Sequence, residues 1–273
     1  MERAPHWTDA YYGELYFDSA ADLLTPSLSA VEAQLIRRLL RLRPGDLVLD
    51  LACGHGRHAW PLAREGVKVV GVERSARYLR RAAEAREGPA GGPFAPRWLR
   101  GDVRALPLRD GAVQAAFSWY SSLFMFDDAT NLRCLAEMGR AVRPGGRLVV
   151  QHANPLALAR EPVATSRRTL ADGSVVEETS RWDAVAGVDR CHRCLLRPDG
   201  SELRGTAELR YYTPTEWGPL AEAAGLRRVQ LTHTTFDGGG PDVETGSEAP
   251  DLVAVLERPL PAEASARRHP DLR

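Results

Sequence analysis

The stretch Val48-Leu49-Asp50-Leu51-Ala52-Cys53-Gly54-His55-Gly56-Arg57 constrains the fold more than any other part of this chain, because it joins a buried strand to a helix through two glycines. Glycine reaches backbone angles closed to other residues, so such a turn can press directly against a ligand. The junction therefore reads as a nucleotide-binding turn. Gly54, Gly56 and Ala59 nominally match the dinucleotide spacing G-x-G-x-x-G/A, a pattern too common to decide the ligand alone. Asp50 tilts the choice. An acid ending an apolar first strand can accept hydrogen bonds from the loop or from a ligand's ammonium, and it repels a pyrophosphate.

The segments on either side alternate between helix and strand. Leu28, Val31, Leu35, Leu39 and Leu42 recur at helical spacing, and Pro44-Gly45 stops that helix. Strands are predicted at 47–51, 67–72, 98–101, 113–119 and 147–152, with helices ending near 65 and covering 76–87 and 130–142 between them. Such alternation implies a doubly wound α/β sheet of parallel strands. From about 163 to 213 the rhythm breaks into strand-like runs punctuated by Asp172-Gly173 and Asp199-Gly200, both hairpin signals, which predicts an inserted antiparallel meander. A helix at 215–224 and strands at 226–234 and 252–257 follow, the last two expected as an antiparallel edge. The chain divides on this reading into an N-terminal lid (1–27), an α/β core (28–154), the β insertion (155–213), the C-terminal part of the core (214–258) and a flexible tail (259–273).

Composition narrows the partners. Thirty-six basic residues balance 36 acidic ones, so no overall field draws in polyanions or anionic membranes. No charged-then-apolar leader pattern stands at the N-terminus, and no apolar run approaches the roughly 18 residues that span a bilayer. A cytoplasmic protein with reduced thiols is expected. The four cysteines include Cys191-His192-Arg193-Cys194, but strand alternation aims those two thiols at opposite faces, and no second cluster completes a metal site. The arginines 77, 80, 81 and 86 read as a solvated helix face paired with Glu84 and Glu87.

Four motifs in order, VLDLACGHGR (48–57), GVERS (71–75), GDVRALPL (101–108) and VRPGGRLVV (142–150), resemble those of class I S-adenosylmethionine-dependent methyltransferases. The resemblance covers about residues 28–258, and the hairpin insertion with Tyr211-Tyr212-Thr213-Pro214 and Phe236-Asp237-Gly238 is similar in layout to sugar-amine N-methyltransferases. It implies a Rossmann-like sheet of seven strands with the last antiparallel, in agreement with the element order. It also implies roles. Gly54 and Gly56 would bring the loop up to the methionine part of S-adenosylmethionine, with Asp50 and the Ala52 carbonyl near its ammonium. Glu73, about 20 residues past the first glycine, is placed to accept both ribose hydroxyls. Asp102 would accept from the adenine amine beside the Val103 amide, with Arg74 and Leu106 sandwiching the ring. Ser118, Trp119 and Tyr120 end the fourth strand at the mouth where ligands of such sheets collect. Tyr11, Tyr12 and Tyr16 resemble a lid reaching the cofactor carboxylate.

Methyl transfer from an activated donor asks mainly for alignment and exclusion of water. Where an acceptor must lose a proton, His152, Tyr120, His233 and Asp237 are the candidate bases, His152 first because it ends the fifth strand beside the fourth. The fourth strand ends in Ser-Trp-Tyr and lacks the Asn/Asp-Pro-Pro-aromatic pattern of base-amino methyltransferases, which turns the expectation from nucleic acid toward a small-molecule acceptor methylated at nitrogen or oxygen. Two alternatives stay open: a non-catalytic S-adenosylmethionine binder, and a dinucleotide-dependent oxidoreductase, the latter disfavoured by Asp50 and by the lack of a Tyr-x-x-x-Lys in a chain with one lysine. The insertion, with Arg181-Trp182-Asp183 and Arg210-Tyr211-Tyr212, is expected to cover the substrate or to join two copies in a homodimer.

Overall fold

A computed structural model describes residues 7–20, 22–85, 94–234 and 249–261. The chain opens with two short helices, α1 (Trp7–Ala10) and α2 (Tyr16–Ala20), separated by a π-turn over Tyr11–Leu15 in which Tyr12 and Gly13 leave helical geometry. Helix α3 (Pro26–Leu40) starts two residues before the apolar pattern does, because Thr25 caps it by accepting from the Leu28 amide and Pro26 supplies a preset first turn. Its buried face is also rotated from the predicted stripe: Val31 is exposed, whereas Ser29, Glu32, Ala33 and Ile36 are buried.

The alternating half follows: β1 (Leu47–Leu51), α4 (Ala59–Arg64), β2 (Lys68–Glu73), α5 (Ala76–Glu84), β3 (Arg97–Arg100), β4 (Ala115–Ser118), α6 (Asp128–Ala141) and β5 (Arg147–Ala153). A short helix α7 (Pro155–Arg160), capped by Asn154, opens the 155–213 segment, for which the sequence predicts strands alone. The insertion is β6 (Val163–Thr169), β7 (Val175–Asp183), β8 (Val188–Leu196) and β9 (Glu202–Arg210), and the chain then adds α8 (Trp217–Ala223), β10 (Arg227–Thr232) and β11 (Asp251–Glu257).

Two sheets result. The larger has seven strands in the order β10-β11-β5-β4-β1-β2-β3, and β11 runs antiparallel to both neighbours. The edges are β10 and β3, and the last two strands pair antiparallel at one margin, as the sequence suggested, with β11 set between β10 and β5. Strand alternation sorts the core into two layers. Leu49, Leu51, Leu148 and Leu256 face the α6 and α8 side with Met138 and Trp217, while Val48, Val149 and Val255 face α3 and α4 with Ile36 and Leu62. Burying each such leucine is worth roughly 1.5–3 kcal/mol relative to leaving it in water.

The smaller sheet is a meander, β6-β7-β8-β9, all antiparallel. Its two predicted hairpin turns are built alike: Gly173 and Gly200 both sit at φ 84°, and Asp172 and Asp199 each accept from the amide two residues on. Among the described residues no helix is long and apolar enough to cross a membrane. Residues 262–273 of the expected tail, Arg86, Glu87 and Phe236-Asp237-Gly238 lie outside the described residues.

Candidate functional site

A cavity of about 500 Å³ opens at the carboxyl ends of β1, β2, β3 and β4. That is the crevice where open α/β sheets collect ligands, and the volume suits a small molecule. Asp50 reaches it from the end of β1. Its carboxylate is 3% exposed, and Oδ2 has no hydrogen-bond partner among the described residues. Burial, with the nearby Glu73 charge, pushes this acid up to about 8, against the pull of Arg57. Ala52 follows in the left-handed region at φ 57°, a conformation that alanine adopts only under constraint.

The two glycines of the turn do different things. A Cβ on Gly54, at φ 55°, would meet nothing within 4 Å, so this residue stands against open cavity. A Cβ on Gly56, at φ 76°, would stand inside the Trp98 indole, and Gly56 does not line the cavity. The expectation that Gly56 faces a ligand is thus corrected: it is glycine so that the turn can pack on β3. Glu73, at the end of β2, lines the cavity and ties it to the loop, accepting from the Gly54 amide at 3.1 Å and the Ser75 amide at 2.7 Å. Burial raises its pKa even though these amides hold it down.

Beyond Glu73 the wall is formed by Arg74, Asp102, Val103 and Phe126. Arg74 donates to Thr8 Oγ1 at 3.0 Å, which draws the N-terminal segment onto this end. Arg104 grips Asp102 through both carboxylate oxygens, at 2.9 and 2.6 Å, and stacks its guanidinium over Phe126. Leu106, expected beside Arg74, is instead buried in the core and does not line the cavity.

At the other end Trp119, Tyr120 and Ser122 form the mouth. Ser118 does not: it is fully buried within β4, below the wall, and the expectation for it is corrected on that ground. Tyr120 and Ser121 both adopt φ near 60°, two left-handed residues in succession. The turn is held by Gln151, whose Oε1 accepts from the Tyr120 amide at 2.6 Å while its Nε2 donates to Asp251 at 3.0 Å. The Tyr120 phenol, raised by burial, stays neutral.

His152 is also removed from the site. It is 0% exposed, stacked between Tyr211 and Trp217, and does not line the cavity. Its Nδ1–H donates to the Ala153 carbonyl at 2.7 Å, and its Nε2 accepts from Trp217 Nε1 at 3.1 Å. Burial takes its pKa down to about 4, so both nitrogens are committed in a neutral ring. His233 likewise does not line the cavity.

Of the N-terminal tyrosines, Tyr12 and Tyr16 line the cavity and Tyr11 does not. Tyr11 packs under the small sheet, where alternation along β8 turns Cys191 and Arg193 inward and His192 and Cys194 outward. Arg193, 8% exposed, lies about 5 Å from the Tyr16 ring and 5.5 Å from that of Tyr11, and pairs with Glu178. Arg197 bonds Glu14 and Asp18, and Arg77 of α5 reaches the same two acids from the core side. The helix arginine expected to pair along its own helix is thus spent on the N-terminal segment. The outer face of the sheet carries exposed ion pairs, Arg167 with Glu177 and Arg190 with Glu208.

Arg57 and His58 are wall residues to which the sequence reading assigned no role, and Trp119, expected at the mouth, lines the wall with them. All three converge on Glu32 of α3. Trp119 Nε1 donates to Oε1 at 3.0 Å, and His58 Nε2 (at 3.0 Å) and Arg57 Nη1 donate to Oε2. Burial would raise Glu32, but His58 and Arg57 bring it down to about 2. His58, lowered to about 4 by burial and by Arg57, is neutral. Arg57 keeps a second nitrogen, Nη2, buried with no hydrogen-bond partner among the described residues.

A family model described as a methyltransferase domain matches residues 48–146. The chain is 28% identical over 259 residues to a 27-O-demethylrifamycin SV methyltransferase of Amycolatopsis mediterranei, covering 91% of this chain and 90% of that one. A malonyl-acyl-carrier protein O-methyltransferase of Pectobacterium atrosepticum is 35% identical over 166 residues, 58% of this chain; the chain spans about half of that relative's length, 53%. Among solved structures, the CcbJ methyltransferase from Streptomyces caelestis superposes with a TM-score of 0.75 at 27% identity, covering 93% of this chain and 98% of that one.

Proposed function

We propose, on the premise that residues 48–146 are a methyltransferase domain within a class I S-adenosylmethionine-dependent fold, that this protein moves a methyl group from S-adenosylmethionine to a nitrogen or oxygen of a small-molecule acceptor. One observation carries the reading. Two buried side-chain atoms, the acceptor Asp50 Oδ2 and the donor Arg57 Nη2, belong to residues that line a single cavity, and neither atom has a hydrogen-bond partner among the described residues. A buried donor or acceptor left without a partner is costly, so these two atoms call for a ligand with an ammonium and a carboxylate close together. The amino-acid part of S-adenosylmethionine has both.

The remaining walls fit the rest of that molecule. Glu73 retains acceptor capacity beyond that used by its backbone donors Gly54, Arg74 and Ser75 and can accept from the ribose hydroxyls. Asp102, oriented by Arg104, keeps capacity for an adenine amine, and Val103 and Phe126 flank that end in place of Leu106. Gly54 leaves the space a Cβ would take. Tyr12 and Tyr16 close the cavity from the N-terminal side.

The bound sulfonium would supply an already activated methyl group. The protein's share is alignment and exclusion of water, which can supply up to about 7–11 kcal/mol of the barrier. Tyr120, a neutral phenol at the mouth, orients the acceptor by hydrogen bonding instead of acting as a base. The small sheet serves as a cover: its inner face fastens the tyrosine segment over the cavity, and its outer face is charged and ion-paired, unlike the apolar face of a dimer contact.

Isothermal titration of the purified chain with S-adenosylhomocysteine and with reduced nicotinamide dinucleotide tests the reading. Saturable one-to-one binding is expected for the first ligand and none for the second. Charge-assisted bonds to the ribose are worth about 1.5–3 kcal/mol, so Glu73→Ala should weaken the first by one to two decades. Binding of the dinucleotide instead, or an unchanged affinity in that variant, sinks the assignment. Transfer of labelled methyl to a panel of small amines and alcohols then separates an enzyme from a silent binder.

A further inference from the structure

Arg57 is an unusual receptor. It follows a glycine turn and precedes α4, so its own stretch of backbone does little to aim its side chain. What aims it is Glu32, a carboxylate 9% exposed on the core-facing side of α3 that does not itself line the cavity. The Glu32 Oε2 atom takes the Arg57 Nη1 edge, and Nη2 is left with no hydrogen-bond partner among the described residues. The same oxygen accepts from His58, and Oε1 accepts from Trp119 at the mouth. One acid thereby holds three wall residues drawn from two loops.

We propose that Glu32 is a positioning residue for ligand recognition: it presents the free edge of Arg57 to the carboxylate of the bound ligand and, through its other oxygen, locks Trp119 beside the methyl-transfer mouth. This rests on the S-adenosylmethionine reading above. The chemistry explains why a carboxylate is required there. Only an acceptor on both oxygens can satisfy donors from opposite sides at once. An amide would turn a donor toward either Trp119 or the Arg57 and His58 pair, and the guanidinium would lose its anchor. A merely structural acid between α3 and α4 would behave differently, because its loss would loosen the whole site regardless of which part of a ligand is bound.

That difference is measurable by comparing S-adenosylhomocysteine, which carries the amino-acid carboxylate, with 5′-methylthioadenosine, which has the nucleoside but lacks the amino-acid part. In Glu32→Gln the affinity for S-adenosylhomocysteine should fall at least tenfold, while that for 5′-methylthioadenosine changes less than twofold. Arg57→Met should show the same selectivity, and adding Glu32→Gln to Arg57→Met should weaken S-adenosylhomocysteine less than twofold further. Equal losses for both ligands, an unchanged affinity for S-adenosylhomocysteine, or additive effects in the double variant would each overturn the proposal. Should Glu32→Gln fail to fold, Glu32→Asp keeps the charge but shortens its reach, and the same two-ligand comparison decides. If the unmodified protein binds neither ligand, the S-adenosylmethionine reading fails first, an outcome distinct from equal losses in the variants.

Discussion

Replacing Asp50 by asparagine should uncouple ligand binding from proton release. Burial pushes Asp50 up to about 8 in the ligand-free cavity, where its Oδ2 has no hydrogen-bond partner among the described residues. At pH 6.5 such a group is mostly protonated, whereas a ligand α-ammonium is charged. An ammonium docking on Asp50 needs the ionised acid, so binding at this pH should expel about one proton per ligand. Affinity should climb about tenfold per pH unit between 6 and 7 and level off above about 8, where the acid is already ionised. The assay is titration calorimetry in buffers of different ionisation enthalpy, whose slope counts protons. In Asp50→Asn the count should drop toward zero and the rising limb should flatten. Stability has a matching sign. With a folded pKa raised from about 3.9, the neutral acid's contribution is fully present below that value and is lost as pH rises through about 8. The melting temperature of the ligand-free protein should accordingly fall over that interval, and less so in Asp50→Asn. A proton count near zero for the unmodified protein at pH 6.5, or one equal to that of Asp50→Asn, would refute the reasoning.

Other outcomes follow from the geometry. Gly54→Ala should fold with a penalty of about 1–2 kcal/mol for its left-handed backbone but lose ligand affinity, whereas Gly56→Ala, driven into Trp98, should lose the fold itself; thermal melts beside calorimetry distinguish the two, and equal behaviour would contradict the division of labour. His152→Ala should cost about 2–5 kcal/mol of stability by opening a cavity and orphaning the Trp217 indole N–H, yet leave turnover per folded molecule and its pH profile unchanged. In Arg193→Met, hydrogen exchange should accelerate across residues 7–20 while the strands of the small sheet stay protected, and uniform protection would show that the arginine does not hold the segment.

Much of the fold was legible because its signals are local. The Asp50 and Glu73 strand ends, the paired Asp-Gly turns and the apolar strands each follow from a few neighbouring residues. Strand alternation likewise placed Cys191 and Cys194 on opposite faces of β8. What escaped was set by contacts distant in sequence. Gly56 and Gly54 look alike until Trp98, some forty residues on, packs against one of them. His152 sits at a strand end like the site acids, but α8 folds Trp217 over it. Glu32 was hidden by residue type: the helix turns its acid inward and exposes Val31, because three buried donors outweigh one apolar side chain.

The place of β11 has a consequence for how the molecule is made. This strand, buried along Asp251–Leu256, inserts between β5 and β10, so any chain still short of residue 251 leaves β5 with an open flank. It also brings Asp251, the anchor for Gln151 and hence for the left-handed turn at Tyr120. As the ribosome releases the chain from its N-terminal end, the glycine turn, Asp50 and Glu73 emerge early, yet the mouth of the cavity cannot set until some two hundred residues later. A nascent or truncated form would expose an aggregation-prone edge and, with it, half a binding site.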